Sequence, residues 1–219
     1  VVTGVPIDNG ICGGRQGARF GPRAIREASM FFRAGYDLAP DKTRVDLDSV
    51  VALRLKDTPN IGDMGDFNIY PTDLMKTTES VTQGVAEVVR RGGFPVVMGG
   101  DHYVAYPSFE GFAKGMAERK EGVRLGFIHI DAHTDFNDDN ALDGRYHHGT
   151  MVRRISENPA IDYKNLAWIG LNSPVTVDQF QLKREHNLNM MTARNVRERG
   201  IVDVMTDAMN TASDGVDAV

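Results

Sequence analysis

The amino-acid sequence has 219 residues, 41% hydrophobic and 25% charged, which suits one soluble α/β domain over residues 1–219 with a sizeable core. Its formal net charge of -5, from 30 acidic and 25 scattered basic residues, argues against a nucleic-acid partner. The single cysteine, Cys12, excludes a disulfide framework and a cysteine-rich zinc module, and the lack of a bilayer-length apolar run or secretory leader predicts a cytoplasmic protein without a membrane partner.

Residues 1–5 read as a short strand. Gly10, Gly13, Gly14 and Gly17 then make a glycine-rich loop that leads through Pro22, which suits a first helical turn, into a helix over residues 23–32. These glycines do not form a G-x-G-x-x-G directly after a strand, and no Walker A run exists, so a nucleotide-binding module carries little weight. From Asp73 a longer helix carries Leu74, Thr77 or Thr78, Val81, Val85, Val88 and Val89 on one side and stops at Gly92-Gly93. An apolar strand follows at residues 94–98, then a helix over 104–120 and a strand over 123–130. Residues 166–171 form another strand, 177–186 a helix and 193–209 a further helix, and 216–219 begin a strand. A chain that stops as a core strand starts is expected to be C-terminally truncated.

Two segments fall just beyond predicted strand ends, where parallel αβ units commonly place their sites. GGDH at 99–102 ends on His102, and FIHIDAHTDF at 127–136 places His133 between Asp131 and Asp135. Beyond Asp131 the chain must turn for these side chains to converge, and Ala132 and Thr134 are small enough to allow it. Buried carboxylates need a partner or a metal, and this mixed oxygen and nitrogen set suits manganese or nickel at least as well as zinc. Asp101 either orients a ligand or caps the following helix. His147 and His148 follow an acidic loop with Asp138, Asp139 and Asp143, and an imidazole over the pocket would suit proton transfer. His129 reads as a satisfied core or pocket-wall histidine, and His186 as a helix-end residue.

Together GARFGPRAIR at 17–26, DMGD at 63–66, GGDH at 99–102, IDAHTD at 130–135 and HHGT at 147–150 resemble the ureohydrolase family, the arginases and agmatinases. The resemblance implies a three-layer α/β/α sandwich around a mainly parallel central sheet, assembled as a homotrimer or homohexamer. It implies a binuclear centre of two Mn2+, or alternatively Ni2+, that hydrolyses a guanidino or amidino C–N bond. His102 and Asp135 would then serve one ion and His133 the other, with Asp131 bridging both. His148, rather than His147, would bind substrate or transfer a proton. The family's next segment, a DxD run that completes both ion sites, would follow Val219. DGRYHHGT looks closer to the agmatinases, which points to an agmatine-like or other small guanidine substrate and release of urea. ICGGRQG and Met151 depart from the usual runs and leave that substrate open. A noncatalytic subunit with an incomplete metal centre in a larger assembly is the alternative.

Overall fold

The protein, as a computed structural model, is described over residues 1–10, 16–34, 43–45, 48, 52–54 and 61–219. Cys12, Gly13 and Gly14 lie outside the described residues. In chain order the elements are β1 (Val2–Val5), α1 (Gly21–Ala34), β2 (Thr43–Val45), β3 (Ala52–Arg54), β4 (Asp63–Asp66), α2 (Leu74–Arg90), β5 (Val96–Gly99) and α3 (Ala105–Ala117). There follow β6 (Leu125–Ile130), α4 (Met151–Ile155), β7 (Ile161–Leu171), α5 (Val177–Glu185), β8 (Asn189–Thr192), α6 (Ala193–Arg199) and α7 (Ile201–Ala212).

Among the described residues the expected parallel sheet is present as two groups, β4-β1-β5 and β6-β7-β8, each parallel throughout, while β2 and β3 form an antiparallel pair. Alternation along β7 explains the layering. Leu166 and Trp168 pack with Phe109, Phe136, Met151 and Ile155 on one side, whereas Ala167 and Ile169 pack with Val204 and Ala208 of α7 on the other. A strand buried on both faces reads as a continuous apolar run, as 166–171 does. On the other sheet, Val5 and Ile7 pack against Val81, Val85 and Val89 of α2, each such burial contributing about 1.5–3 kcal/mol. Asp73 caps α2 by accepting from the Lys76 N–H at 2.9 Å, as its position before the apolar stripe leads one to expect.

Several boundaries differ from the sequence reading. The predicted helix over 193–209 is two helices, because Gly200 takes φ 86°, outside helical backbone, and ends α6 before α7 starts. The helix after GGDH begins as a 3-10 turn at His102–Val104 and closes at Ala117. β4 and β8 were not anticipated. The strand expected at 216–219 is reduced to an isolated parallel bridge between Ala218 and Leu125, with the Gly126 N–H donating to Ala218 O at 2.8 Å. Among the described residues no helix is long and apolar enough to cross a membrane.

Candidate metal centre

Two strand exits build the site. After β5, the Asp101 backbone N–H donates to Ile7 O at 2.7 Å, and its carboxylate accepts from the Tyr103 N–H at 2.9 Å and the Gly10 N–H at 2.8 Å. Asp101 therefore caps the turn that carries His102 and also ties it to the loop after β1. After β6, the Asp131 N–H extends the pairing to Ile169 O at 3.0 Å, and Asp131 Oδ1 accepts from the His133 N–H at 2.8 Å, closing the turn the sequence requires. Trp168 Nε1 donates to Thr134 O at 2.9 Å, and Asp135 stands in the left-handed region with φ 46°. A non-glycine residue in that region stores strain and recurs at functional sites.

The result brings His102, Asp131 and Asp135 together. His102 Nδ1 lies 3.1 Å from Asp131 Oδ2 and 3.3 Å from Asp135 Oδ2. His129 joins them, its Nε2 3.6 Å from Asp135 Oδ2 and its ring 5.2 Å from that of His102. One ligand atom from each of these four residues lies within 4.8 Å of all the others. His133 is outside that set: its Nδ1 is 3.4 Å from Asp131 Oδ1, but its side chain is 67% exposed. His129 is buried, as expected, yet its Nε2 has no hydrogen-bond partner, so it is not a satisfied core histidine. Period-two alternation could have found it, since residues 129 and 131 share a face of one strand.

Electrostatics separate the two carboxylates. Burial works to raise Asp131, but the His133 N–H and the nearby imidazoles outweigh it and hold the carboxyl below its ordinary range. Burial dominates at Asp135 and pushes its pKa up against the pull of His102. Burial, followed by the charge of His102, pushes His129 down to about 4, so its imidazole is neutral near pH 7 and keeps a lone pair. An orphaned neutral nitrogen beside two carboxylates and a second imidazole is a donor set that fits a divalent cation.

The HHGT segment reaches the same place. His147 caps a 3-10 turn, its Nδ1 accepting from the Gly149 N–H at 3.2 Å, and it is buried. His148 instead places Nδ1 2.5 Å from Gly10 O. The other motifs are structural staples. Arg26 of GARFGPRAIR pairs with Asp63 and Asp66 of DMGD, Nε to Asp63 Oδ2 at 2.7 Å, while Arg19 Nε donates to the buried Asp8 at 2.6 Å. His186 follows α5 as its C-cap, as expected of a helix-end residue, and its ring lies 4.6 Å from that of Tyr163, tilted by 56°. Gln179 was missed by the sequence reading; it accepts from the Thr134 hydroxyl and donates to Asn137, bracing the loop after β6 from α5.

Comparison with known protein families matches the arginase family across residues 1–219. The chain belongs to the arginase family. Its parallel strands and flanking helices are the arginase-like α/β fold, and formiminoglutamase from Trypanosoma cruzi, solved with Mn2+, matches it with a TM-score of 0.76 at 28% identity over 97% of this chain and 66% of that one. The arginase-family chain is 30% identical over 203 residues to human mitochondrial guanidino acid hydrolase, covering 92% of this chain and 52% of that protein. It is also 30% identical over 215 residues to guanidinopropionase from Pseudomonas aeruginosa, covering 98% of this chain and 61% of that protein. The chain thus spans about half to three-fifths of the length of these curated relatives.

Proposed function

We propose that this arginase-family protein hydrolyses a guanidino or amidino C–N bond, releasing urea from an agmatine-like or other small guanidine compound. The observation that carries the reading is the convergence of His102, Asp131 and Asp135 at two strand exits, with the buried, unpartnered His129 beside them. His102, Asp131 and Asp135, with His133 next to Asp131, would hold two divalent ions, manganese or nickel. The chemistry such ions supply when bound is Lewis-acid polarisation and a lowered pKa for water. The chain's own groups do the rest. Asp131 and Asp135 provide the negative charge that retains cations, the unpartnered Nε2 of His129 lies beside Asp135 on the buried side, and His148 takes up on Nε2 the proton that the attacking water loses and passes it to the departing amine. We place the protein in the cytoplasm as a single-domain homotrimer or homohexamer, on the strength of its composition and its family.

Metal per chain by elemental analysis of the natural full-length protein, followed by urea release from agmatine, guanidinobutyrate and free guanidine, tests the reading. Asp131→Ala should lose both metal and turnover, and unchanged metal content would sink the bridging assignment. The exposure of His133 favours a second reading, a noncatalytic subunit with an incomplete centre. That reading expects little metal after reconstitution and tight association with a catalytically complete homologue.

A further inference from the structure

The peptide of Gly10 is held from both sides. Its N–H donates to Asp101 Oδ2 at 2.8 Å, and its carbonyl oxygen accepts from the His148 backbone N–H at 3.1 Å and from His148 Nδ1 at 2.5 Å. Asp101 is fixed in turn by Ile7 O, which accepts its backbone N–H, and by the Tyr103 N–H, which donates to its other carboxylate oxygen. A carbonyl oxygen only accepts, so Nδ1 carries the hydrogen of this contact and a neutral His148 keeps its lone pair on Nε2. Gly10 is buried, and a Cβ there would lie 2.8 Å from Tyr103 Cβ and 3.3 Å from both Asp101 carboxylate oxygens. Tyr103 cannot readily yield, being buried with its hydroxyl 2.8 Å from Thr78 Oγ1.

We propose that Gly10 and Asp101 are positioning residues for His148: Asp101 orients the Gly10 peptide, and the Gly10 carbonyl sets the ring orientation and tautomer of His148. This rests on the reading of His148 as a proton-transfer group. Asp101 therefore acts on two loops, capping the His102 turn and steering the histidine that faces it from HHGT. Glycine is required at position 10 for space, since its backbone is not in the left-handed region. Aspartate is required at 101 because two N–H donors converge on it. An asparagine offers one acceptor oxygen, which can keep the Tyr103 N–H and so the cap of the His102 turn, and would turn its NH2 toward the Gly10 N–H.

The test compares the natural full-length protein with Gly10→Ala and Asp101→Asn, the second being isosteric and a safeguard should the first fail to fold. Long-range 15N–1H NMR reads the tautomer of His148, assigned against His148→Gln. Metal per chain, kcat and KM are measured alongside. The parent should show hydrogen on Nδ1, and each folded variant a mixed or Nε2-protonated ring. With it, kcat should fall on the order of 10²-fold, the cost of a misplaced catalytic group, while KM and metal content stay near the parent's. A parent ring protonated on Nε2, or variants that keep the parent tautomer and kcat, would overturn the proposal. A matching loss of metal would also overturn it, by placing the effect at His102. If the parent turns over no guanidino compound, the functional reading fails while the tautomer still decides the positioning.

Discussion

Asp131 and Asp135 leave the same short turn and carry opposite electrostatic burdens. Asp131 receives the His133 N–H and ends below the ordinary carboxylate range, whereas Asp135 is deeper and is pushed up by burial. A cation would relieve the second more than the first, because it supplies the charge that desolvation removed. The histidines differ in the same way, His129 being buried and neutral while His133 is exposed. Titration calorimetry with Mn2+ should therefore resolve them: His133→Ala should lose one of two ions and keep the other, and His102→Ala should lose the ion that His133→Ala keeps. Two ions retained by His133→Ala would remove it from the ligand set. The convergence of His102, Asp131 and Asp135 was legible because DAHTD and GGDH put carboxylates and imidazoles at strand ends. His129 was passed over because a histidine inside an apolar strand resembles core, and only strand register showed which carboxylate it meets.

At the scale of elements, helix α2 was the most legible: its cap, its valine stripe and its glycine stop all stand where the sequence put them, with Gly92 at φ 80°. The helix over 193–209 was misread because a single glycine is tolerated within helical periodicity, and nothing local announces that Gly200 leaves helical backbone. Strand β4 was illegible for another reason, since its polar DMGD serves Arg26 instead of a core face. The contact between α2 and α3 was also hidden. A Cβ on Gly111 would lie 2.5 Å from Thr82 O, and one on Gly115 2.7 Å from Ala86 O, so these glycines let the two backbones approach. Gly115→Ala should overpack this seam and destabilise the protein by about 1–3 kcal/mol, read as a lower urea midpoint with unchanged slope. A gain in stability would show instead that the helices separate freely and that the ordinary preference of alanine for helix prevails.

For the whole molecule, the alternation of strands and helices foretold a parallel α/β fold, but pairing between distant strands was beyond it: β1 lies between β4 and β5, far along the chain. Carboxylate–cation staples join many of these distant parts, and they set the response to acid. Hydrogen bonds from Arg19, Arg26, Arg154 and Lys120 hold Asp8, Asp63, Asp138 and Asp217, respectively, below their ordinary range. A carboxyl with a lowered folded pKa contributes stability that is present above its unfolded value and lost as pH falls through the folded one. Asp101 and Glu110, raised by burial, oppose folding at neutral pH and are relieved as pH falls. The staple at Asp138 is the most exacting, because the Arg154 side chain is only 1% exposed and its Nε and Nη1 have no hydrogen-bond partner. Asp138 at 2.5 Å and Glu157 at 3.2 Å from Nη2 supply its countercharge. Asp138→Asn should lower Tm near neutral pH. The gap to the parent should narrow as thermal melts move below about pH 4, where the carboxyl of the unfolded chain begins to take up a proton while the folded one, held lower by Arg154, does so only at more acid pH. A gap that stays constant down to about pH 3 would mean that the side chain of Asp138 supports Arg154 by its shape and not by its charge.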